Sequence, residues 1–250
     1  MGGTAPVQIR PYLSIVLPCY NEAGNIGAVL GRVWDVTGRL GVSCEILVVD
    51  DGSRDGTSQT AAQAGRRLGL CPRILRHERN QGYGAAVRTG IAAAEGKYIF
   101  LTDGDGQFDL GELPAATGLL GRFDAVLGYR QARQDPLVRR WMGACWTLLV
   151  NLCLQVCIRD MDCAFKLVRA DLLRRVDLAS RGALISPEII ASLAGAGARI
   201  AQRPVRHLPR RSGKSTGGSL RVIVRAFVEL ARNIRRLRRI RFGRRNSHES

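Results

Sequence analysis

Three short apolar runs, each closed by acidic residues, constrain the fold of this chain more than any other feature. Ser14-Ile15-Val16-Leu17 opens onto Pro18-Cys19-Tyr20-Asn21-Glu22, and Glu45-Ile46-Leu47-Val48-Val49 onto Asp50-Asp51-Gly52-Ser53. Tyr98-Ile99-Phe100-Leu101, the centre of a strand expected over 97–102, opens onto Thr102-Asp103-Gly104-Asp105-Gly106-Gln107. Runs this short lack a polar side and are too brief for helices, so they read as strands buried on both faces. Segments of helical spacing lie between them at 26–34, 55–68, 83–94 and 110–120, with further strands at 73–76 and 125–128. The alternation predicts an α/β fold with a mostly parallel central sheet flanked by helices. Ligands in such sheets bind at the carboxyl ends of the strands, which is where the acidic clusters stand.

Beyond Val138 the pattern turns helical, with short strands expected at 164–168 and 200–205. The apolar stretch Trp146–Ile158 contains Asn151 and Gln155 and falls short of the ~18–20 residues a membrane span needs; it reads as a buried helix. The expected organisation is a tail over 1–12, a catalytic domain over 13–208, a flexible basic loop over 209–218, an amphipathic helix over 219–242 and a tail over 243–250. The seven cysteines form no CxxC pair and no regular framework, so they read as reduced thiols in a cytosolic protein. Cys153, Cys157 and Cys163 read as small core residues rather than a metal cluster. Residues 1–12 carry no secretory pattern.

The formal net charge of +17 calls for an anionic partner. Aromatic residues make up only 6% and no nucleic-acid module is recognisable, which disfavours a nucleic-acid-binding protein. In the last helix Leu220, Ile223, Phe227, Leu230, Ile234 and Leu237 share one side. Arg221, Arg225, Arg232, Arg235 and Arg239 occupy the other, extended by Arg236, Arg238 and Arg241. This pattern predicts a helix lying on an anionic membrane surface; the alternative is an apolar face packed on the domain.

The acidic strand ends carry the chemistry. Tyr20 is placed to stack on a nucleobase and Glu22 to accept from a base or ribose; the structural alternative is a turn with Asn21 capping the next helix. Asp51 is the second candidate for base or ribose, and Asp55 doubles as a helix cap. Asp103 and Asp105, two residues apart across Gly104, can converge on one hard cation, with Mg²⁺ or Mn²⁺ the natural choice. Asn80-Gln81-Gly82-Tyr83-Gly84 opens a helix but does not complete a dinucleotide fingerprint. Arg130, Arg210, Arg211 and Lys214 are candidates to clamp phosphate oxygens, the last three from a basic loop that closes over a diphosphate.

Taken together, Ser14–Glu22, Val48–Thr57, Asn80–Gly84, Gly96–Gln107 and Asp160-Met-Asp-Cys-Ala-Phe-Lys-Leu167 resemble glycosyltransferase family 2. Within it they resemble the dolichol-phosphate (polyprenol-phosphate) mannose synthase-like branch, over roughly residues 13–218. The resemblance implies a GT-A fold and an inverting transfer. It implies donor contacts from Pro18, Tyr20, Glu22, Val49, Asp51, Asp103, Gly104 and Asp105, and a metal at Asp103, Asp105 and Gln107. Arg130 and Arg210 match phosphate-contacting arginines. Thr216 stands where that branch has a lysine, with Lys214 nearby, and Asp160–Phe165 replaces its Asp-x-Thr-Gly-x-Phe stretch. The acceptor and the sugar are thereby left open.

The expected activity is metal-dependent transfer of a hexose, of mannose or glucose type, from a nucleotide-sugar donor to a polyprenyl-phosphate lipid. The site is expected on the cytoplasmic face of a membrane, held peripherally. The alternative acceptor is a hydroxyl of a sugar or natural product, which requires a general base. The candidate catalytic residues are Asp105, Asp160, Asp162 and Glu188.

Overall fold

The structure is a computed structural model that describes residues 10–131, 137–213 and 220–243, with side chains described for 10–131, 140–213 and 225–243. Strands β1 (Leu13–Cys19), β2 (Cys44–Asp50), β3 (Arg73–Arg76), β4 (Tyr98–Leu101), β5 (Ala125–Gln131), β6 (Lys166–Arg169) and β7 (Ile200–Arg206) form one sheet. Its order is β3-β2-β1-β4-β6-β5-β7. All pairings are parallel except the two made by β6, which runs antiparallel to β4 and to β5. The carboxyl ends of β1, β2, β4 and β5 therefore share one edge with the amino end of β6. That single reversal delivers the segment before Lys166 to the acidic edge.

The strand side chains alternate between two cores, as period-two geometry requires. Val16, Leu47, Val49, Ile99, Leu101 and Leu127 face one cluster, and Ile15, Leu17, Ile46, Val48, Phe100 and Val126 the other. Helices α1 (Ala23–Leu40), α2 (Thr57–Leu68) and α4 (Leu113–Thr117) cover the second face. Helices α3 (Tyr83–Ala93), α5 (Leu137–Leu154), α6 (Ala170–Arg174), α7 (Ile185–Gly195) and α8 (Leu220–Phe242) cover the first.

Four expectations need correction. The helix expected over 110–120 is a 3-10 turn at Leu110–Glu112 followed by the short α4, which has Pro114 in its first turn. Asn21 does not cap α1: it adopts φ 55°, and its side chain accepts from Arg54 N. The chain enters α1 by hydrogen bonds to the 53–57 segment instead, with Asn21 N on Ser53 Oγ, Glu22 N on Thr57 Oγ1 and Ala23 N on Asp55 Oδ2. Helix α5 starts before Trp146, ends at Leu154 and is buried on one side only; Leu148 and Leu152 face solvent. The fourth correction is α8. Its described apolar side does not face outward, because Ala226, Leu230 and Leu237 are buried in the core with Phe227, Ile234 and Ile240 packed against it. An amphipathic pattern reports a face that seeks apolar company; here the sheet's helical layer supplies it.

Leu237 is 1% exposed. Leu237→Ala should lower unfolding stability by about 2–5 kcal/mol in urea titrations. A helix with that face outward would show almost no change.

Candidate active site

The end of β4 carries the central pair. Leu101 pairs with Val16 of β1 and Lys166 of β6, so the Asp103–Asp105 turn leaves the sheet between both neighbours. Gly104 N donates to Pro18 O at 3.3 Å, and a Cβ at Gly104 would lie 2.3 Å from Cys19 Sγ. Glycine at 104 thus lets the turn lean on the end of β1. Asp103 is half-buried beside the Tyr83 hydroxyl, and its Oδ1 is buried with no partner among the described residues. Burial first, then the charge of Asp105, raises the Asp103 pKa above the carboxylate range.

Asp105 Oδ1 accepts from Gln107 N at 3.0 Å. Its Oδ2 lies 3.2 Å from Arg210 Nη1, while Arg210 Nη2 reaches Glu22 Oε1 at 2.5 Å. One guanidinium therefore joins the end of β1 to the end of β4. It arrives there because β7 runs on past Arg206 and pairs with the 107–109 segment, Leu208 N donating to Gln107 O at 2.7 Å. Arg210 Nε and Asn25 Nδ2 both donate to Ser212 O, which fixes the loop against α1. Burial raises the Glu22 pKa, and Asn25 and Arg210 oppose the shift.

Asp51, at the end of β2, is buried and fully engaged. It accepts from His77 Nδ1 at 2.7 Å, Gln81 N at 2.9 Å and Gly82 N at 2.8 Å. His77 Nε2 in turn meets Thr89 Oγ1 at 2.9 Å. Pro18 and Val49 are register partners. The Val49 side chain lies in the core, so this residue has only its backbone to offer a ligand. Tyr20 is 39% exposed and free to present its ring.

On the β6 side, Arg130 grips Asp160 with a fork, Nε on Oδ2 at 2.7 Å and Nη2 on Oδ1 at 2.8 Å, and its backbone N adds a third bond at 3.1 Å. This geometry is bidentate and charge-assisted, so Arg130 is held by the protein rather than waiting for a phosphate. Asp162 Oδ1 accepts from Trp146 Nε1 at 3.1 Å. Asp162 is itself exposed, and desolvation by the surrounding protein raises its pKa, with Lys166 and Arg130 opposing. Lys166 is buried beneath these carboxylates, its Nζ on Cys163 O and on Ser186 Oγ at 3.1 Å. Burial lowers its pKa, against the charges of Cys163, Asp162, Asp160 and Asp103.

The geometry brings Glu22, Asp103, Asp105 and Arg210 together, with Tyr83 and Lys166 beside Asp103. Glu188 stands apart. It is fully buried and accepts from Ala179 N and Ser180 N at 3.0 and 2.9 Å, and it pairs with Arg236 of α8. Its oxygens hold a loop and a helix, which leaves it no role as a base. Lys214 lies outside the described residues. Tyr83, His77, Trp146 and Lys166 escaped the sequence reading; Tyr83 and Lys166 sit inside its quoted motifs, but apolar pattern and spacing say nothing about which side chains turn inward.

No three His, Cys, Asp or Glu side chains converge as a metal cage among the described residues. A divalent cation nonetheless fits at Asp103 and Asp105: two hard oxygen donors, one of them buried and orphaned, are what a cation completed by phosphate oxygens and water requires. The Gln107 amide nitrogen points to Leu208 O at 3.4 Å, so Gln107 is already partly committed elsewhere.

The family described as Glycosyl transferase family 2 matches residues 14–177. The chain belongs to glycosyl transferase family 2. It is 33% identical over 232 residues to a dodecaprenyl-phosphate galacturonate synthase of Rhizobium johnstonii, covering 92% of this chain and 68% of that protein. It is 30% identical over 224 residues to an undecaprenyl-phosphate 4-deoxy-4-formamido-L-arabinose transferase of Pseudomonas aeruginosa, covering 86% of this chain and 64% of that protein. The chain thus spans about two thirds of the length of these relatives. Among solved structures, glucosyl-3-phosphoglycerate synthase of Mycobacterium tuberculosis in complex with Mn²⁺ and uridine-diphosphate-glucose superposes with a TM-score of 0.68 at 20% identity. That superposition covers 89% of this chain and 79% of that one. The fold is the GT-A fold of family 2 glycosyltransferases.

Lys166 offers a test of the site's electrostatics. Losing the Lys166 ammonium strands the buried Cys163 O and Ser186 Oγ, which costs roughly 1–3 kcal/mol. Lys166→Met should lose about that much stability at mildly alkaline pH, and less as pH falls. The sign follows from the carboxylates: desolvation has already raised Asp103 and Asp162, and protonation relieves the repulsion that Lys166 no longer offsets. Urea titrations at several pH values read the difference directly.

Proposed function

We propose that this family 2 glycosyltransferase transfers a hexose from a nucleotide-sugar donor to a polyprenyl phosphate, on the cytoplasmic side of a membrane. One observation carries the reading: Arg210 bridges Glu22 and Asp105 across the mouth of the site while the neighbouring Asp103 oxygen has no partner. A donor diphosphate that arrives with a divalent cation meets both sides: the cation takes the Asp103 and Asp105 oxygens, and the phosphate oxygens take Arg210 in exchange for those carboxylates. The relatives that act on dodecaprenyl and undecaprenyl phosphates support the acceptor class. The Mn²⁺ and uridine-diphosphate-glucose of the superposed structure support the metal and the donor class.

In this proposal Tyr20, Asp51 and the backbone of Val49 receive the nucleoside, with His77, Gln81 N and Gly82 N fixing the Asp51 carboxylate. Asp103 and Asp105 hold Mg²⁺ or Mn²⁺, which when bound neutralises the charge that builds on the leaving diphosphate. Tyr83 and Lys166 hold the Asp103 side of the pair in place, and Arg210 turns from Glu22 and Asp105 to the phosphates. Arg130 fixes Asp160 at the opposite wall. An acceptor phosphate oxygen is already anionic and attacks without a base. A hydroxyl acceptor would need Asp160 or Asp162 as base; both are engaged with donors in this structure, which favours the phosphate.

Labelled donors in a panel, with Mn²⁺ or Mg²⁺ and polyprenyl phosphate, should give a mild-acid-labile lipid product. Label recovered only in water-soluble glycosides would overturn the acceptor assignment. Asp105→Asn should cut turnover by about 10²–10³-fold. Arg210→Ala should act in opposite directions in calorimetry: Mn²⁺ alone binds several-fold tighter because Asp105 is released, while the nucleotide sugar binds roughly tenfold weaker. Equal weakening of both would sink the placement of Arg210 over the metal site.

A further inference from the structure

Helix α5 is apolar on both sides. Its inner side, Trp146, Val150 and Leu154, is buried in the core. Its outer side repeats at helical spacing through Trp141, Cys145, Leu148 and Leu152, flanked by Leu149, and its one described charge is the exposed Arg140 at the start of the stripe. Trp141 is 71% exposed, Leu148 60% and Leu152 69%. A contiguous apolar stripe of this kind on a soluble face marks a contact with something else.

Helix α8 indicates what that is. Both helices cover the same face of the sheet through one apolar cluster, and the rings of Trp146 and Phe227 meet edge-on at 5.3 Å. Their outer sides therefore look the same way. The outer side of α8 shows Val228 among the exposed Arg225, Arg232, Arg235, Arg238 and Arg239, and its single acid, Glu229, is bonded to Arg225 at 2.8 Å. An apolar ridge beside a row of arginines complements an anionic lipid layer: leucines and tryptophan enter the acyl boundary and guanidinium groups meet the headgroups. A second copy fits poorly, since a symmetric contact across this side would set the two arginine rows against each other.

The ridge is also joined to the chemistry. From the inner side of α5, Trp146 Nε1 donates to Asp162 and Thr147 Oγ1 accepts from Met161 N at 3.4 Å. Asn151 brackets Ile158, donating to its carbonyl oxygen at 2.8 Å and accepting from its N at 3.1 Å. The loop bearing Asp160 and Asp162 is thus fastened to the helix whose far side is the ridge, about one helix diameter of ~10 Å away. We infer that the outer face of α5, flanked by the arginines of α8, docks on an anionic lipid surface and sets the Asp160–Asp162 loop at headgroup depth. As a route for the acceptor, this rests on the polyprenyl-phosphate reading above; as a docking face, it does not.

The test uses the full chain and the pair Leu148→Asp with Leu152→Asp. Both leucines are exposed, so thermal unfolding should match the parent. Sedimentation with phosphatidylcholine vesicles, with and without phosphatidylglycerol, should show the parent binding the anionic vesicles and the double variant binding at least about tenfold more weakly. Trp141 emission should shift to the blue on binding in the parent and be absent in Trp141→Phe. Transfer to polyprenyl phosphate dispersed in detergent should be equal in parent and variant, and transfer to the same lipid in vesicles should fall only in the variant. Equal vesicle binding by parent and variant overturns the proposal, as does a parent dimer that ignores vesicles and becomes monomeric on the double substitution. If no lipid phosphate accepts sugar in detergent or vesicles, the acceptor reading falls, and the vesicle-binding comparison still decides the docking face.

Discussion

Gathering carboxylates at one edge of a buried sheet is unfavourable, and the rest of the site is arranged around that cost. Two carboxylates ~4 Å apart repel by about 4 kcal/mol at an effective dielectric of ~20, and burial adds desolvation. Each acidic strand end meets the problem differently. Asp51 takes two backbone N–H groups and a histidine. Asp160 takes the Arg130 fork. Glu22 and Asp105 share Arg210, which comes from a loop beyond the last strand. Asp103 keeps a buried oxygen with no partner among the described residues, and beside it stand a tyrosine hydroxyl and the buried Lys166. The least compensated position in the cluster is therefore where an external cation gains most.

The reversed strand β6 makes this arrangement possible. Had β6 run parallel to β4, its carboxyl end would have met the edge and Asp160, Asp162 and Lys166 would have been carried to the opposite one. Antiparallel pairing sets Lys166 directly across from Leu101, two residues before Asp103. The same reversal lets the preceding helix, α5, return over the sheet with its inner side against the Asp160–Asp162 loop and its outer side to solvent.

Much of the acidic sheet edge was legible in the residues. Continuous apolar runs define strands buried on both faces, and the carboxylates that follow them must lie at strand tips, so Glu22, Asp51, Asp103 and Asp105 were placed before any coordinates. Strand direction was not legible, because Lys166-Leu-Val-Arg169 reads alike whether parallel or antiparallel; Asp160 and Asp162 accordingly could not be ranked. Nor could the pattern of α8 tell core from lipid, since both are apolar media and select the same stripe. The outer side of α5 was hidden for the converse reason: a helix apolar all round reads as buried when only one side is. Glu188 misled because an isolated acid in an apolar helix has the same signature whether it is a base or an anchor.

That anchor links α8 to Asp51 through direct contacts and one short loop. Arg236 of α8 meets the buried Glu188, whose oxygens hold Ala179 N and Ser180 N. Next along this loop, Arg181 O accepts from Gly84 N at 2.8 Å, and Gly82 N donates to Asp51. At its centre Glu188 is fully buried, so loss of Arg236 would strand that carboxylate without water. Helix α8 therefore cannot move as a loose appendage: lifting Arg236 would expose a charge at zero accessibility and free the loop that backs the Asp51 pocket. Its inner face and Arg236 tie it to the loop that backs Asp51, and its outer arginines face away from the domain.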